Sequence, residues 1–120
     1  MAGYRDLKVW QAAMRLAEEA YRLSARFPKH EVYGLASQVQ RSAVSLPSNI
    51  AEGHGRNSRK EFNHFLGITL GSLAELETQL VLAQRLNYLT EEEIESVLQN
   101  SNEIGKMLKG LQKSLSPTND

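Results

Sequence analysis

Apolar positions recur three and four residues apart along four stretches of the chain, the spacing of helices buried on one side. The longest stretch is residues 62–86. There Phe62, Phe65, Leu66, Thr69, Leu73, Leu76, Leu80 and Ala83 share one face. Beside that face runs a second stripe of small or apolar residues, Gly67, Leu70, Gly71, Ala74, Thr78 and Val81. Glycine inside a helix costs about 1 kcal/mol relative to alanine, so close approach by another helix must compensate. The pattern predicts a central helix, about 37 Å long, with neighbours on two sides.

The other stretches are shorter. Helix 1 is expected from Asp6, a good N-cap, to Phe27, with Trp10, Ala13, Met14, Ala17, Ala20, Tyr21, Ser24 and Phe27 inward and Pro28 following. Helix 2 places Val32, Leu35, Val39, Ala43, Leu46 and Ile50 inward. Its register holds across Pro47, which predicts one helix kinked there rather than two, although an interior proline costs about 3 kcal/mol and needs support. Val44, Pro47 and Ala51 form a small apolar stripe on the other side, where a second partner could pack. Asn49, close to the apolar face, is expected to satisfy carbonyls freed by the kink or to bond a facing helix, with ligand binding as the alternative.

Gly53 and Gly55 are expected to end helix 2 with left-handed or open backbone. Ser58 with Glu61, and Thr90 with Glu93, have the spacing of capping boxes opening helices 3 and 4. Helix 4 turns Ile94, Val97, Leu98, Ser101, Ile104, Gly105, Leu108, Leu111 and Leu115 inward, with Lys106, Lys109 and Lys113 toward its C-terminus, where cations are favoured. The expected fold is all-α: an up-down-up-down four-helix bundle over residues 1–115, with a frayed tail at 116–120.

Composition narrows the chemistry. A chain of 120 residues fits one domain, and the absence of cysteine excludes disulfides, thiolate metal sites and a thiol nucleophile. The opening residues lack a continuous apolar core, and no window approaches the roughly 18 apolar residues of a membrane span, so a soluble cytoplasmic protein is the default expectation. The formal net charge is zero, which removes the simplest argument for nucleic-acid binding. Its distribution is uneven. Residues 1–60 carry ten Lys/Arg against five Asp/Glu and residues 61–120 carry four against nine, leaving the halves at +5 and −5. That asymmetry makes either two differently charged surfaces or complementary helix faces.

Two basic features are candidates for contact with phosphates. Lys8, Arg15, Arg22 and Lys29 recur every seven residues, with Arg26 beside them. They either track a nucleic-acid backbone or form a solvated face paired with Glu18 and Glu19. Arg56, Arg59 and Lys60 are the densest basic cluster, beside a helix N-terminus that itself favours anions. Gly53-His54-Gly55 follows a helix and lacks the lysine and hydroxyl of a triphosphate loop. Glu61 and His64 have the Glu-x-x-His spacing of a di-metal bundle, but no second such pair exists among His30, His54 and His64. No catalytic residue, metal site or cofactor is expected.

Several motifs together resemble a known family. Asp6 to Gln11 (D-L-K-V-W-Q), Arg41 to Gly53 (R-S-A-V-S-L-P-S-N-I-A-E-G), Gly55-Arg56, Lys60 to Phe62 (K-E-F) and Leu70 to Leu80 (L-G-S-L-A-E-L-E-T-Q-L) are similar to the four-helix-bundle family named for the 23S rRNA intervening sequence. The likeness runs from about Leu7 to Leu111, and His54 departs from it where the family commonly has an aromatic residue. The resemblance implies a bundle assembling as a closed ring, a homopentamer. It also brings in look-alike accessory proteins of diversity-generating retroelements, which form basic pentameric barrels that bind nucleic acid and a reverse transcriptase. Similar proteins are encoded within insertions in bacterial large-subunit ribosomal RNA genes, and the family's biochemical role is not established.

The resulting expectation is a non-enzymatic homo-oligomeric binding or scaffold protein for RNA or a nucleoprotein. Arg56, Arg59 and Lys60, with Lys8, Arg15 and Arg22, would meet nucleic acid. Val44, Ala51, Gly67, Gly71, Ala74 and Thr78 would form the interface between copies. The alternative is a protein-partner adaptor with no nucleic-acid role.

Overall fold

A computed structural model describes residues 3–116, so the expected tail beyond Ser116 lies outside the described residues. Four helices make up the fold: α1 (Lys8–Ser24), α2 (Leu35–Gly55), α3 (Arg59–Arg85) and α4 (Glu91–Leu115). Short 3-10 turns, Tyr4–Asp6 and Lys29–Glu31, precede α1 and α2. No strand occurs among the described residues. Each helix packs on two others, α1 on α2 and α4, and α3 on α2 and α4.

The ends of the helices meet in a consistent way. Gly53, near the end of α2, lies against Phe62 and Phe65 at the start of α3. Arg59, at the start of α3, donates to the carbonyls of Ser114 and Leu115 at the end of α4. At the opposite end Arg26, just past α1, bonds Glu93 in the first turn of α4. Gln40, early in α2, donates to Ser24 Oγ at the close of α1 at 3.1 Å. The molecule is 50 Å long, so these two ends are separate surfaces.

One continuous core fills the space between the helices. Leu16, Leu46, Ile50, Leu66, Leu76, Leu80, Ile104 and Leu108 are essentially inaccessible to water. Each such side chain contributes about 1.5–3 kcal/mol relative to exposure, which makes this the dominant favourable term. Two buried hydroxyls are satisfied within their own helix: Thr69 donates to the Phe65 carbonyl at 2.8 Å and Ser24 to the Tyr21 carbonyl at 3.1 Å. Ser101 of α4 donates to Glu77 of α3.

The expected inner face of α3 matches the buried positions except that Phe65 is only partly covered, and in α4 Ile94, Val97, Ser101, Ile104 and Leu108 are buried while Leu98, Gly105, Leu111 and Leu115 are partly covered. In α2, Leu35, Val39, Ala43, Leu46 and Ile50 are buried, while Val32 lies before the helix and is 58 % exposed. The helix runs unbroken through Pro47. Around that turn Ser45 donates to the Ser42 carbonyl at 2.6 Å and Asn49 to the Ser45 carbonyl at 2.8 Å. Asn49 therefore serves its own backbone, in line with its expected local role.

Helix α1 departs most from expectation. It begins at Lys8 with Leu7 at the N-cap position, and Asp6 belongs to the preceding 3-10 turn, accepting from Gly3 N–H at 3.4 Å. It ends at Ser24 rather than Phe27. Its buried residues are Val9, Ala13, Leu16, Ala17, Ala20, Leu23 and Ser24, so Ala13, Ala17, Ala20 and Ser24 lie inward as expected, with Phe27 buried just beyond, while Trp10 and Met14 are half-buried and Tyr21 is exposed. Two apolar stripes lie side by side on this helix, and the core takes the aliphatic one.

The helix-2 glycines also act differently from expectation. No glycine among the described residues has positive φ, and α2 continues through Gly53 to Gly55. Asn57, at φ 60°, takes the left-handed position. Asparagine tolerates it because its short amide bonds the local backbone. Ser58 accepts from Glu61 N–H at 3.2 Å, but the Glu61 carboxylate turns to Arg56 instead of closing the expected box. Thr90 and Glu93 form their capping box in both directions, at 3.1 and 2.9 Å.

One exclusion fails. Helix α3 is long and apolar enough to cross a membrane by length and composition alone. Its Leu66, Leu73, Leu76 and Leu80 form the bundle core, and its outer side carries His64, Glu75 and Arg85.

Candidate nucleic-acid interface

The chain reversal between α2 and α3 places Arg56, Arg59 and Lys60 at one end of the bundle. Arg56 is held in place: it pairs with Glu52 at 2.8 Å and Glu61 at 3.6 Å, and its guanidinium lies 5.2 Å from the Phe65 ring centre. Arg59 reaches Ser114 O at 2.9 Å and Leu115 O at 3.4 Å, caring for carbonyls that the last turn of α4 cannot satisfy. Cations favour that position because the helix dipole is negative there. Lys60 remains exposed beside them.

Lys113 joins this group through the fold. Arg59, Lys60, Asn63 and Lys113 line a recess of about 660 Å³ between α3 and α4, and Asn63 Oδ1 is buried there without a partner among the described residues. Lys8, at the start of α1, belongs to the same end of the molecule, since α1 opens beside the close of α2 and α4. Arg59, Lys60 and Lys113 thus share this recess, with Arg56 beside them on Glu52 and Glu61. The lysines of α4 stood out in the sequence only as cations near a helix C-terminus.

Arg15 and Arg22 are separated from this cluster. With Lys8 they border a groove between α1 and α4 of about 640 Å³, into which Glu19 and Glu103 also project. Glu19 accepts from Asn100 at 3.1 Å, and neither of the expected pairs, Glu18 with Arg22 or Glu19 with Arg15, forms. The basic line of α1 therefore alternates with carboxylates as it leaves the basic end.

The residues expected at an interface between copies fall on two surfaces. Val44 and Ala51 line an apolar groove of about 630 Å³ between α1 and α2, with Trp10, Met14, Tyr21 and Pro47. Tyr4 stands edge-on to Trp10 at 5.3 Å and closes one end of it. Gly67, Gly71, Ala74 and Thr78 are exposed on the outside of α3. Nothing lies within 4 Å of where a Gly71 Cβ would be, and only Gln112 Nε2 approaches Gly67, at 3.6 Å. The close helix contact expected there is not made among the described residues of one chain.

At the far end a polar latch ties the α1–α2 connection to the α3–α4 turn. Glu31 accepts from Leu35 N–H at 3.0 Å and from the Tyr88 hydroxyl at 2.8 Å, with His30 Nε2 3.3 Å from that hydroxyl. The Leu35 amide and Tyr88 hydroxyl hold the Glu31 carboxyl below its ordinary range, and Glu31 in turn raises the Tyr88 phenol. Glu93 is lowered by the Thr90 amide and by Arg26. Glu61 and His64, the one metal-like pair in the sequence, are occupied separately: Glu61 by Arg56, while His64 stands edge-on to Phe65 at 5.8 Å.

The family model described as 23S rRNA-intervening sequence protein matches residues 5–110. The chain belongs to that family. A crystal structure from Bacteroides thetaiotaomicron, of a protein with unknown function from the S23 ribosomal protein family, superposes with a TM-score of 0.78. It is 30 % identical, and the match covers 88 % of this chain and 98 % of that one. No curated protein matches. The motifs that carry the family likeness converge in space: Trp10 of the first meets Val44, Pro47 and Ala51 of the second across the α1–α2 groove. Gly53 of the second packs against Phe62 of the K-E-F motif. His54 stands edge-on to that Phe62 ring at 5.5 Å, a contact an aromatic residue would also make.

Proposed function

We propose that this family member is a non-enzymatic, homo-oligomeric up-down-up-down bundle, kinked at Pro47, that binds RNA or a nucleoprotein in the cytoplasm. The observation that carries the reading is the basic end, where Arg59, Lys60 and Lys113 surround one recess despite a net charge of zero. Phosphate contacts supply most nucleic-acid affinity, and a ring of five copies would repeat a modest basic surface five times. The end-to-end helix contacts support the up-down order, and the two unpartnered surfaces on α1–α2 and α3 support self-association.

The test is a salt series of binding to structured RNA. Affinity of the wild-type protein should fall steeply with salt, and Arg59→Glu, Lys60→Glu and Lys113→Glu combined should abolish binding with helical circular dichroism retained. Equal affinity in the triple variant would remove this end as the site. The apolar groove favours a second reading, a protein-partner adaptor with no nucleic-acid role, whose sign is association with another protein that salt does not weaken.

A further inference from the structure

We propose that a polar recess between α2 and α3 binds a free α-amino acid with a carboxamide side chain, glutamine or asparagine. The recess stands apart from the basic end, since Ser45 on its wall lies eleven residues before Arg56, about 16 Å along the helix. Its volume is about 410 Å³, within the range of about 300–1,000 Å³ that small-molecule sites occupy. Every residue that lines it is polar, although α2 and α3 otherwise join through the apolar core.

Two polar stripes at helical spacing build it. Arg41, Ser42 and Ser45 of α2 face Ser72, Glu75 and Gln79 of α3. Arg41 and Glu75 are exposed at the mouth, while Ser42, only 6 % exposed, lies deep with the partly buried Ser45, Ser72 and Gln79. Polar groups brought together in a helix seam normally bond one another across it. Among the described residues none of these does: Ser45 donates to the Ser42 carbonyl of its own helix, and the other five side chains make no hydrogen bond or ion pair. Gln79 Oε1 is buried without a partner among the described residues, so its desolvation is not offset within the chain. All six residues belong to the Arg41–Gly53 and Leu70–Leu80 motifs, which the basic end does not use.

The unmet groups specify the ligand. Arg41 presents a planar fork of donors suited to a carboxylate, and Glu75 a carboxylate suited to an ammonium. The two face one recess without pairing, so a zwitterion that spans them satisfies both charges and leaves the site neutral. Gln79 Oε1 requires a donor, and the Ser42 and Ser72 hydroxyls both donate and accept; the NH₂ and carbonyl of a carboxamide supply the complement. An apolar side chain would leave these groups unpaired, which is how such a site rejects it.

The experiment is isothermal calorimetry, with thermal melts alongside, on the full chain with L-glutamine and L-asparagine as probes. Wild type is expected to bind at least one of them and to melt higher in its presence. N-acetyl-L-glutamine lacks the ammonium and L-glutaminamide the carboxylate, so each is expected to bind about tenfold or more weakly than L-glutamine, the factor for one lost charge-assisted bond. Glu75→Gln and Arg41→Gln should weaken the parent amino acid equally, while Glu75→Gln leaves the affinity for N-acetyl-L-glutamine unchanged. Gln79→Met removes the buried acceptor, so the free protein should melt above wild type and lose its response to the probe. No binding of either amino acid by wild type, or undiminished affinity in Arg41→Gln and Glu75→Gln, overturns the proposal, as does a Gln79→Met protein that melts lower and still responds. If Gln79→Met loses helix, the two variants at exposed sites carry the test alone.

Discussion

Gly53→Ala tests the closest approach between α2 and α3. A Cβ at Gly53 would lie 2.5 Å from Phe65 Cβ, 3.1 Å from Phe65 Cγ and 3.2 Å from Phe62 Cδ1. The nearest atom is the root of a side chain, so relief requires the two helices to part by several tenths of an ångström. Gly53 has an ordinary helical φ, so the substitution brings no backbone strain and gains up to about 1 kcal/mol of helix propensity. Overpacking costs about 1–3 kcal/mol and wins, leaving a net loss of roughly 1–2 kcal/mol. Two residues on, nothing lies within 4 Å of a Gly55 Cβ, so Gly55→Ala should gain a few tenths of a kcal/mol, about what propensity gives near a helix end.

The assay is urea denaturation at two protein concentrations, since self-association shifts midpoints, with thermal melts expected to move about 4 °C per kcal/mol. A Gly53→Ala protein as stable as wild type would refute the close-approach argument. If both alanines were equally destabilising, end-of-helix geometry rather than packing would be the cause.

Three further outcomes follow from the structure. Stability should fall in acid as pH drops below about 4.3, because Glu31 and Glu93 have lowered folded values and their contribution, present above the unfolded value, is lost through the folded one. A pH series of urea midpoints, compared with Glu31→Gln, checks this. Tyr88 has the opposite sense: its raised phenol contributes below about pH 10 and loses that contribution as pH rises through the folded value. Tyr88→Phe should therefore lower stability at neutral pH and flatten the alkaline fall, and an unchanged alkaline limb would discount the latch. Thr90→Ala removes the hydroxyl that caps α4 and should cost about 1 kcal/mol in the same denaturation assay.

Helix number, the core of α2, α3 and α4, and the Thr90 cap were determined by the sequence alone. These are local matters: in α2, α3 and α4 the large aliphatic side chains gather on one stripe at helical spacing, which outweighs the small-residue stripes beside it, and a cap acts within four residues. The likeness of the motifs to the 23S rRNA-intervening sequence family was equally legible. In α1 the local signal was ambiguous, because Val9, Ala13, Leu16, Ala20 and Leu23 share helical periodicity with Trp10, Met14, Ala17 and Tyr21. Only packing against α2 and α4 decides that the aliphatic stripe fills the core and the aromatic one walls a groove. Gly53 was visible as a glycine but not as a contact, since Phe62 and Phe65 reach it only after α3 folds back. The basic end was likewise hidden: Lys113 is more than fifty residues from Arg59 and Lys60, and the return of α4 makes them neighbours.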